Sequence, residues 1–274
     1  MEKAVIQKQV QVIHPEKIYY YLPNLTDATL APLFGLSTKE YKSTKALFAT
    51  RVAEAAERLM TDHSFRDLCV KLPFKKNDIV VVLGESNTDD YQSWFEILKT
   101  IVTLNAPEKN IRMINSAISG QTTTMALRNL TTNLQVKPSW VFCMLGMNDT
   151  LRIGGKNSKT AVSLEETKRN LDFMYNLTKQ VSNPQWVWMT PYTIDELKQN
   201  QNQWFKQLQL KWHNEDLNEI AEYLLSKKDT VVDLRKLFTN NDEKLLMEDG
   251  IHASLEGHIQ IAKELVTTLS EFRI

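Results

Sequence analysis

The strongest constraint on the fold of this 274-residue chain is an apolar run that ends at a glycine. A serine follows two residues after that glycine. The run is Ile79–Leu83, and Gly84, Glu85 and Ser86 follow it. A continuous β-branched run bounded by glycine is typical of a central parallel strand that is covered on both faces. Ser86 is therefore expected in a strand-to-helix loop at the carboxyl end of a strand, where open α/β sheets bind ligands. It is either a nucleophile or simply the cap of the next helix.

Strands and helices alternate from residue 78 onward. The hydrophobic patterns predict strands at residues 79–84, 111–115, 140–145, 185–189 and 230–234. They predict helices near residues 91–104, 122–135, 164–182, 195–227 and 254–271. This alternation predicts an α/β fold with a five-stranded parallel sheet wrapped on both faces. Right-handed crossovers favour the flavodoxin-like strand order 2-1-3-4-5.

A separate section precedes this regular pattern. We predict a partly helical N-terminal extension over residues 1–77 and a main domain over residues 78–274. The first 36 residues show no clear period, and either short strands or irregular structure fits them. Ser37 and Glu40 then form a capping box at the start of a long helix. The aromatic run Tyr19–Tyr21 is expected to pack on the main domain, with ligand binding as the alternative.

Charge and cysteine content limit the partners of the chain. Basic and acidic residues both number 33, so the zero net charge gives no reason to expect nucleic acid or an anionic membrane. No stretch approaches the ~20 apolar residues of a membrane span, and the N-terminus lacks the apolar core of a signal peptide. The two cysteines, Cys69 and Cys143, suit buried thiols in a reducing compartment. These features favour a cytoplasmic protein and leave its oligomeric state open.

Four short polar motifs fall where the predicted strands end, or just before the last helix. They are Gly84–Thr88, Ser119–Gln121, Gly146–Asp149 and Asp249–His252. Taken singly, each motif has an ordinary explanation as a turn or a helix start. Taken together, they meet at one edge of the sheet and supply every part of an acyl-transfer site. We therefore interpret them jointly as a catalytic site.

Each residue type in these motifs suits one role in acyl transfer. Ser86 is the candidate nucleophile, and His252 is the base that takes its proton. Asp249 lies three residues before His252 and can hold the imidazole in the productive tautomer. The backbone amides of Ser86 and Gly120 and the side-chain amide of Asn148 are candidate donors to the oxyanion.

The remaining polar residues suggest no rival chemistry. The other histidines have no metal-ligand spacing with carboxylates or thiols, so we predict no metal site. No Gly-rich phosphate loop is present, and we predict no cofactor. Asp89 and Asp90 suit a cation, but a solvated helix start explains them better.

In this order the four motifs resemble those of the SGNH, or GDSL-type, hydrolases, whose hallmarks are Ser, Gly, Asn and His in separate blocks. The matching residues are Ser86, Gly120, Asn148 and His252. The resemblance covers about residues 79–271 and implies a three-layer α/β/α fold with metal-free ester hydrolysis. Members of this family act as esterases, lipases, thioesterases and carbohydrate deacetylases. The family usually has Asp where this chain has Glu85, which bears on rate and substrate range more than on mechanism.

We therefore expect a cytoplasmic serine ester hydrolase that acts through an acyl-enzyme. The expected substrate is a short-chain acyl ester, either a small molecule or an acetylated carbohydrate, and this expectation rests on the resemblance alone. An acyltransferase or thioesterase would use the same site. A non-catalytic binding module on a flavodoxin-like scaffold is the alternative from another class, with Glu85 marking lost activity.

Overall fold

The computed structural model of the chain describes residues 3–154, 158–238 and 244–272. At its centre lies a parallel sheet of five strands. They are β1 (Ile79–Gly84), β2 (Arg112–Asn115), β3 (Trp140–Met144), β4 (Gln185–Met189) and β5 (Thr230–Val232). The strands lie in the order β2-β1-β3-β4-β5, and every neighbouring pair is parallel. The predicted flavodoxin-like order 2-1-3-4-5 is therefore confirmed.

The section before β1 is helical. Its helices are α1 (Lys3–Val12), α2 (Pro15–Ile18), α3 (Asp27–Leu30), α4 (Thr38–Met60) and α5 (His63–Val70). The expectation of short strands or irregular structure in the first 36 residues is thus wrong. The capping box at α4 is confirmed: Ser37 Oγ accepts the N–H of Glu40 at 3.3 Å, and the Glu40 carboxylate accepts the N–H of Ser37 at 2.9 Å.

More helices follow β1, and several of them cover the two faces of the sheet. They are α6 (Ser86–Asp89), α7 (Trp94–Asn105), α8 (Thr123–Leu134), α9 (Leu164–Val181), α10 (Glu196–Gln201), α11 (Gln203–Leu208), α12 (Asn214–Leu225) and α13 (Leu255–Ser270). Alternate side chains of β1 enter two separate cores, as a strand with a period of two requires. Val80 and Val82 pack with α7 and α13, whereas Val81 and Leu83 pack with α8 and α9. The three-layer α/β/α arrangement is confirmed.

The single long helical region predicted over residues 195–227 is wrong. Three helices, α10 to α12, occupy it, and a short strand separates the last two. Asn202 caps α11 with its side chain, and Gln209 ends it with a left-handed backbone φ of 53°. Residues 210–211 then pair with residues 152–153 in a second, three-stranded antiparallel sheet. The local cap of Asn202 therefore separates α10 from α11, and this long-range pairing separates α11 from α12.

The N-terminal section contributes side chains to the main core. Val52 of α4 and Phe65 of α5 are buried in the same cluster as α7 and α13. Cys69 and Cys143 are both buried and unpaired, which agrees with their prediction as buried thiols. The domain boundary proposed at residue 77 stays a prediction. It rests on the sequence pattern, whereas side chains from both sides of residue 77 pack in one core.

The aromatic run Tyr19–Tyr21 lies at the surface. Between 46% and 57% of each residue is exposed, and the ring of Tyr21 contacts the rings of Tyr19 and Tyr20 edge to face. The prediction that this run packs on the main domain is therefore wrong, and the rings remain accessible to a ligand.

Candidate active site

The serine motif folds as a sharp turn from β1 into α6, and Ser86 is the first residue of that helix. The turn needs a glycine at its start, because a Cβ atom on Gly84 would lie 2.6 Å from the Cβ of Thr88. Asn87 joins the turn to the histidine loop, since its Oδ1 accepts the N–H of Ala253 at 2.9 Å. The turn therefore fixes Ser86 relative to that loop.

The three residues predicted as a triad form one hydrogen-bonded chain. His252 Nε2 lies 3.0 Å from Ser86 Oγ, and His252 Nδ1 lies 2.8 Å from Asp249 Oδ2. The other carboxylate oxygen of Asp249 accepts the backbone N–H groups of Ile251 and His252, each at 2.9 Å. When Nδ1 donates to Asp249, Nε2 faces the serine hydroxyl as a proton acceptor.

The surroundings of Asp249 keep it ionised. Burial disfavours its charge, but the electrostatic interaction with His252 and the hydrogen bonds from His252 and Ile251 outweigh burial. The pKa of Asp249 therefore lies well below its ordinary value. The buried hydroxyl of Tyr192 donates to the carbonyl of Ile251 at 2.9 Å and so fixes the same loop from below.

The predicted oxyanion donors lie on loops that meet beside the serine turn. Gly120 adopts a left-handed φ of 79°, which glycine tolerates without a Cβ penalty. The next residue, Gln121, donates from its side chain to the carbonyl of Gly84. Its own carbonyl accepts Asn148 Nδ2 at 3.2 Å. The loops that carry Gly120 and Asn148 are therefore joined to each other and to the end of β1.

Glu85 holds Asn148, a role that the sequence analysis did not assign. Its Oε2 accepts both the backbone N–H of Asn148 at 3.1 Å and the side-chain Nδ2 at 2.8 Å. Glu85 is only 2% exposed, and burial raises its pKa to about 8 although the bonds from Asn148 favour the charged form. The one signal in the sequence is its position within the serine motif, directly before Ser86.

Asp89 and Asp90 are buried, so the prediction of a solvated helix start is wrong. Asp89 Oδ1 accepts His14 Nδ1 at 2.7 Å and also Lys17 Nζ. Asp90 Oδ2 accepts Gln11 Nε2 at 2.7 Å. Burial opposes the charge of Asp89, yet the hydrogen bond from His14 and the charge of Lys17 keep its pKa below the ordinary value. The partner histidine lies 75 positions away in the chain, so no local pattern could reveal it.

Asp149, the last residue of the third motif, anchors its loop. Its Oδ2 accepts the N–H of Thr123 at 2.9 Å, and its Oδ1 accepts Thr167 Oγ1 at 2.9 Å. These bonds connect the loop after β3 to the starts of α8 and α9. Asp149 thus fixes the backbone that carries the neighbouring Asn148.

The arrangement of acidic and histidine side chains bears on metal binding. Within the described ranges, no three His, Cys, Asp or Glu residues are grouped so that they could hold a metal ion. The predictions of no metal and no cofactor remain predictions.

The fold and the order of the site residues define an α/β/α hydrolase of the SGNH, GDSL-type class. The sequence profile of the GDSL-like Lipase/Acylhydrolase family matches residues 82–259. Because the match covers more than half of the chain, the protein belongs to this family, and it is a hydrolase that acts on esters. A search of curated protein sequences finds no match.

Solved structures with the same fold include several esterases. A catalytic mutant of Axe2, an acetylxylan esterase from Geobacillus stearothermophilus, is 19% identical with a TM-score of 0.56, covering 73% of this chain and 97% of its own. LAE5, an alpha/beta hydrolase enzyme from the metagenome of Lake Arreo, Spain, is 18% identical with a TM-score of 0.55, covering 72% and 97%. The lipase/acylhydrolase from Enterococcus faecalis is 20% identical with a TM-score of 0.54, covering 70% and 95%. At these identities the likeness concerns the fold alone.

Proposed function

We propose that the protein is a serine ester hydrolase that works through an acyl-enzyme. Ser86 Oγ attacks the ester carbonyl while His252 Nε2 takes the hydroxyl proton, and that proton then leaves with the alcohol. Water then attacks the acyl carbonyl while the same imidazole takes its proton. The bond from the carbonyl carbon to Ser86 Oγ breaks, the imidazole returns the proton to Oγ, and the acid is released. The observation that carries the proposal is the continuous hydrogen-bonded chain from Ser86 through His252 to Asp249, at 3.0 and 2.8 Å.

The proposed oxyanion donors are the backbone amides of Ser86 and Gly120 and the side-chain amide of Asn148. Both hydrogens of Asn148 Nδ2 have partners in this structure, Glu85 Oε2 at 2.8 Å and the carbonyl of Gln121 at 3.2 Å. An oxyanion, which is charged, would compete best for the longer of these bonds. Glu85 would then keep Asn148 in place while the second hydrogen of Asn148 Nδ2 turns to the substrate.

A short acyl ester on a carbohydrate is the substrate that we favour. Axe2, which shares the fold, is described as an acetylxylan esterase. The exposed rings of Tyr19–Tyr21 offer flat apolar faces of the kind that stack on sugar rings. They follow Lys17, whose Nζ lies 3.2 Å from the carbonyl of Ala117 in the loop that leads to Gly120. The likeness to Axe2 and the exposed tyrosine rings are the two observations that favour a carbohydrate over an isolated small ester.

Two alternatives remain open, one with the same chemistry and one without catalysis. An acyltransferase or thioesterase would form the same acyl-enzyme and differ only in the acceptor or the leaving group. A non-catalytic binding module would keep the fold without an activated serine.

We place the protein in the cytoplasm on its sequence composition. As a separate finding, no helix in the described part of the chain is long and apolar enough to cross a membrane.

Covalent labelling with a fluorophosphonate tests the proposal, because only an activated serine reacts with it. We expect mass spectrometry to find the adduct on the peptide that contains Ser86, and Ser86→Ala to abolish both labelling and ester hydrolysis. An adduct on another serine, or no adduct on a folded protein, would contradict it.

Two further assays separate the alternatives. Added alcohols that divert the acyl group from water would indicate a transferase. A screen of acyl lengths on chromogenic esters and thioesters would define the leaving group and the chain length.

A further inference from the structure

A short segment of the N-terminal section lies against the loops of the active site. We call residues 8–17 the N-terminal arm. Its Gln11 accepts the backbone N–H of Tyr91 at 3.1 Å, and the side chain of Lys8 contacts Met247. The N–H of Met247 in turn donates to the carbonyl of His252 at 2.8 Å. The arm therefore contacts both the segment after Ser86 and the loop that carries the base.

We call residues 116–121, which carry Gly120, the oxyanion loop. Asp89 is the point at which the arm and this loop meet. Its Oδ1 accepts His14 Nδ1 at 2.7 Å and Lys17 Nζ, both from the arm. Its Oδ2 accepts the backbone N–H of Ser119 at 2.8 Å and Ser119 Oγ at 3.0 Å. A single buried carboxylate thus holds two segments that are far apart in the chain.

The contact with Ser119 matters because the next residue is Gly120. The N–H of Gly120, a proposed oxyanion donor, belongs to the peptide unit that joins these two residues. Fixing the backbone of Ser119 therefore limits the direction in which that N–H points. An oxyanion donor contributes to catalysis only when its direction is set before the charge develops.

The arm also offsets the electrostatic cost of burying the carboxylate of Asp89. A buried carboxylate is costly unless it is paired and hydrogen-bonded. His14 and Lys17 supply a hydrogen bond and a positive charge to Asp89. Lys17 in addition bonds the carbonyl of Ala117, so the arm touches the oxyanion loop directly. Without the arm, Asp89 would lose His14 and Lys17 as partners. Its carboxylate would then no longer be held against Ser119.

We propose that Asp89, held by His14 and Lys17, is a positioning residue for the oxyanion loop, so that the N-terminal arm completes the active site. The proposal rests on the proposed ester hydrolysis at Ser86. It concerns a segment that precedes the family match over residues 82–259. Asp89 acts through Ser119 and not on the substrate itself.

The test compares Asp89→Asn and Lys17→Met with a matched control, Arg58→Gln. Arg58 pairs with Glu256 at 2.5 Å, which also links the N-terminal section to the main domain but through α4 and α13. Each variant is assayed for kcat and KM on a chromogenic short acyl ester and for thermal unfolding. Inhibition by a short alkylboronic acid provides a further readout, because its adduct with the serine places a boron-bound oxygen among the oxyanion donors.

We expect Asp89→Asn and Lys17→Met to lower kcat by at least about tenfold, part of the roughly 10²–10³ that loss of a whole oxyanion donor costs. KM should stay within about twofold, and affinity for the boronic acid should fall in parallel with kcat. Arg58→Gln should leave kcat and inhibition unchanged. If Asp89→Asn fails to fold, Lys17→Met decides, since that side chain is 25% exposed.

Folded variants with unchanged kcat and unchanged boronic acid affinity would overturn the proposal, even if their Tm falls, because the pair would then be purely structural. A rise in KM at constant kcat would also overturn it, since that marks a binding contact. An inactive and unlabelled wild type would refute the ester hydrolase and the arm's role together. An active wild type with active variants would refute the arm's role alone.

Discussion

Asp249 makes two kinds of contact that one substitution separates. Its Oδ1 accepts two backbone N–H groups, which Asn can also do, whereas its Oδ2 faces the imidazole of His252. Asp249→Asn therefore preserves the loop but places an amide against the ring. We expect kcat to fall by about 10³–10⁴ with little change in Tm. Steady-state kinetics and a thermal melt on the same preparation measure both effects.

His252→Ala is the matched control for this substitution, and it should be nearly inactive at every pH. A folded and fully active Asp249→Asn enzyme would show that Asp249 only caps the turn.

Glu85 should make the folded protein less stable as the pH rises. Burial raises its pKa from the ordinary 4.5 to about 8, so between these values the folded chain holds a proton that the unfolded chain has lost. The stability that Glu85 contributes is fully present below about pH 4.5 and is lost as the pH rises through about 8. The maximum slope is about 1.4 kcal/mol per pH unit.

Glu85→Gln cannot ionise and should remove this part of the pH dependence. Urea denaturation between about pH 6 and pH 8 should therefore show a smaller loss of unfolding free energy for the variant than for the wild type. Asp90 and Asp149, whose pKa values burial also raises, are present in both proteins, so the difference between the two slopes reports Glu85 together with its interaction with Asp149. Identical slopes would mean that Glu85 is ionised in the folded state.

Single residues differ in how far the sequence reveals them. The contact among Ser86, Asp249 and His252 could be predicted because each lies in a short motif next to a regular element, and their catalytic roles stay a prediction. The bond from Asn148 to Glu85 and the bond from His14 to Asp89 join positions 63 and 75 apart. Such contacts depend on how the loops fold together in three dimensions, and no local pattern encodes them.

At the scale of elements, the cap of α4 tests how much a local motif stabilises a long helix. Ser37→Ala removes the oxygen that accepts the N–H of Glu40, so we expect the free energy of unfolding to fall by about 1 kcal/mol. Ser43→Ala, on the exposed part of the same helix, is the matched control and should have no effect or a slight gain, because Ala is the better helix former. Equal losses in urea denaturation of both variants would exclude the cap as the cause.

Elements with local signals were predicted well, and those made by distant pairing were not. The start of α4 follows from Ser37 and Glu40, and β1 follows from its β-branched run. The break at Gln209 could not be predicted, because residues 203–208 favour a helix and nothing nearby demands its end. Pairing of residues 210–211 with residues 152–153 supplies that demand from another part of the chain.

At the scale of the whole molecule, the alternation of strands and helices predicted the sheet, its order and both covered faces. Regular βα units leave few arrangements once crossovers are right-handed. The role of residues 1–77 could not be predicted in the same way, because nothing in their pattern indicates which surface they cover. The structure places α4 and α5 in the core beside α7 and α13.

This packing predicts that residues 78–274 do not fold alone. Val52, Phe65, Leu72 and Phe74 are all buried in the main core. Each is worth about 1.5–3 kcal/mol on burial, so their loss costs roughly 6–12 kcal/mol, comparable with the 5–15 kcal/mol that stabilises a whole domain. Circular dichroism and a thermal melt should show no cooperative transition for residues 78–274, whereas residues 37–274, which keep α4 and α5, should unfold cooperatively. A cooperative transition in the shorter chain would contradict this expectation and would make residue 77 a true domain boundary.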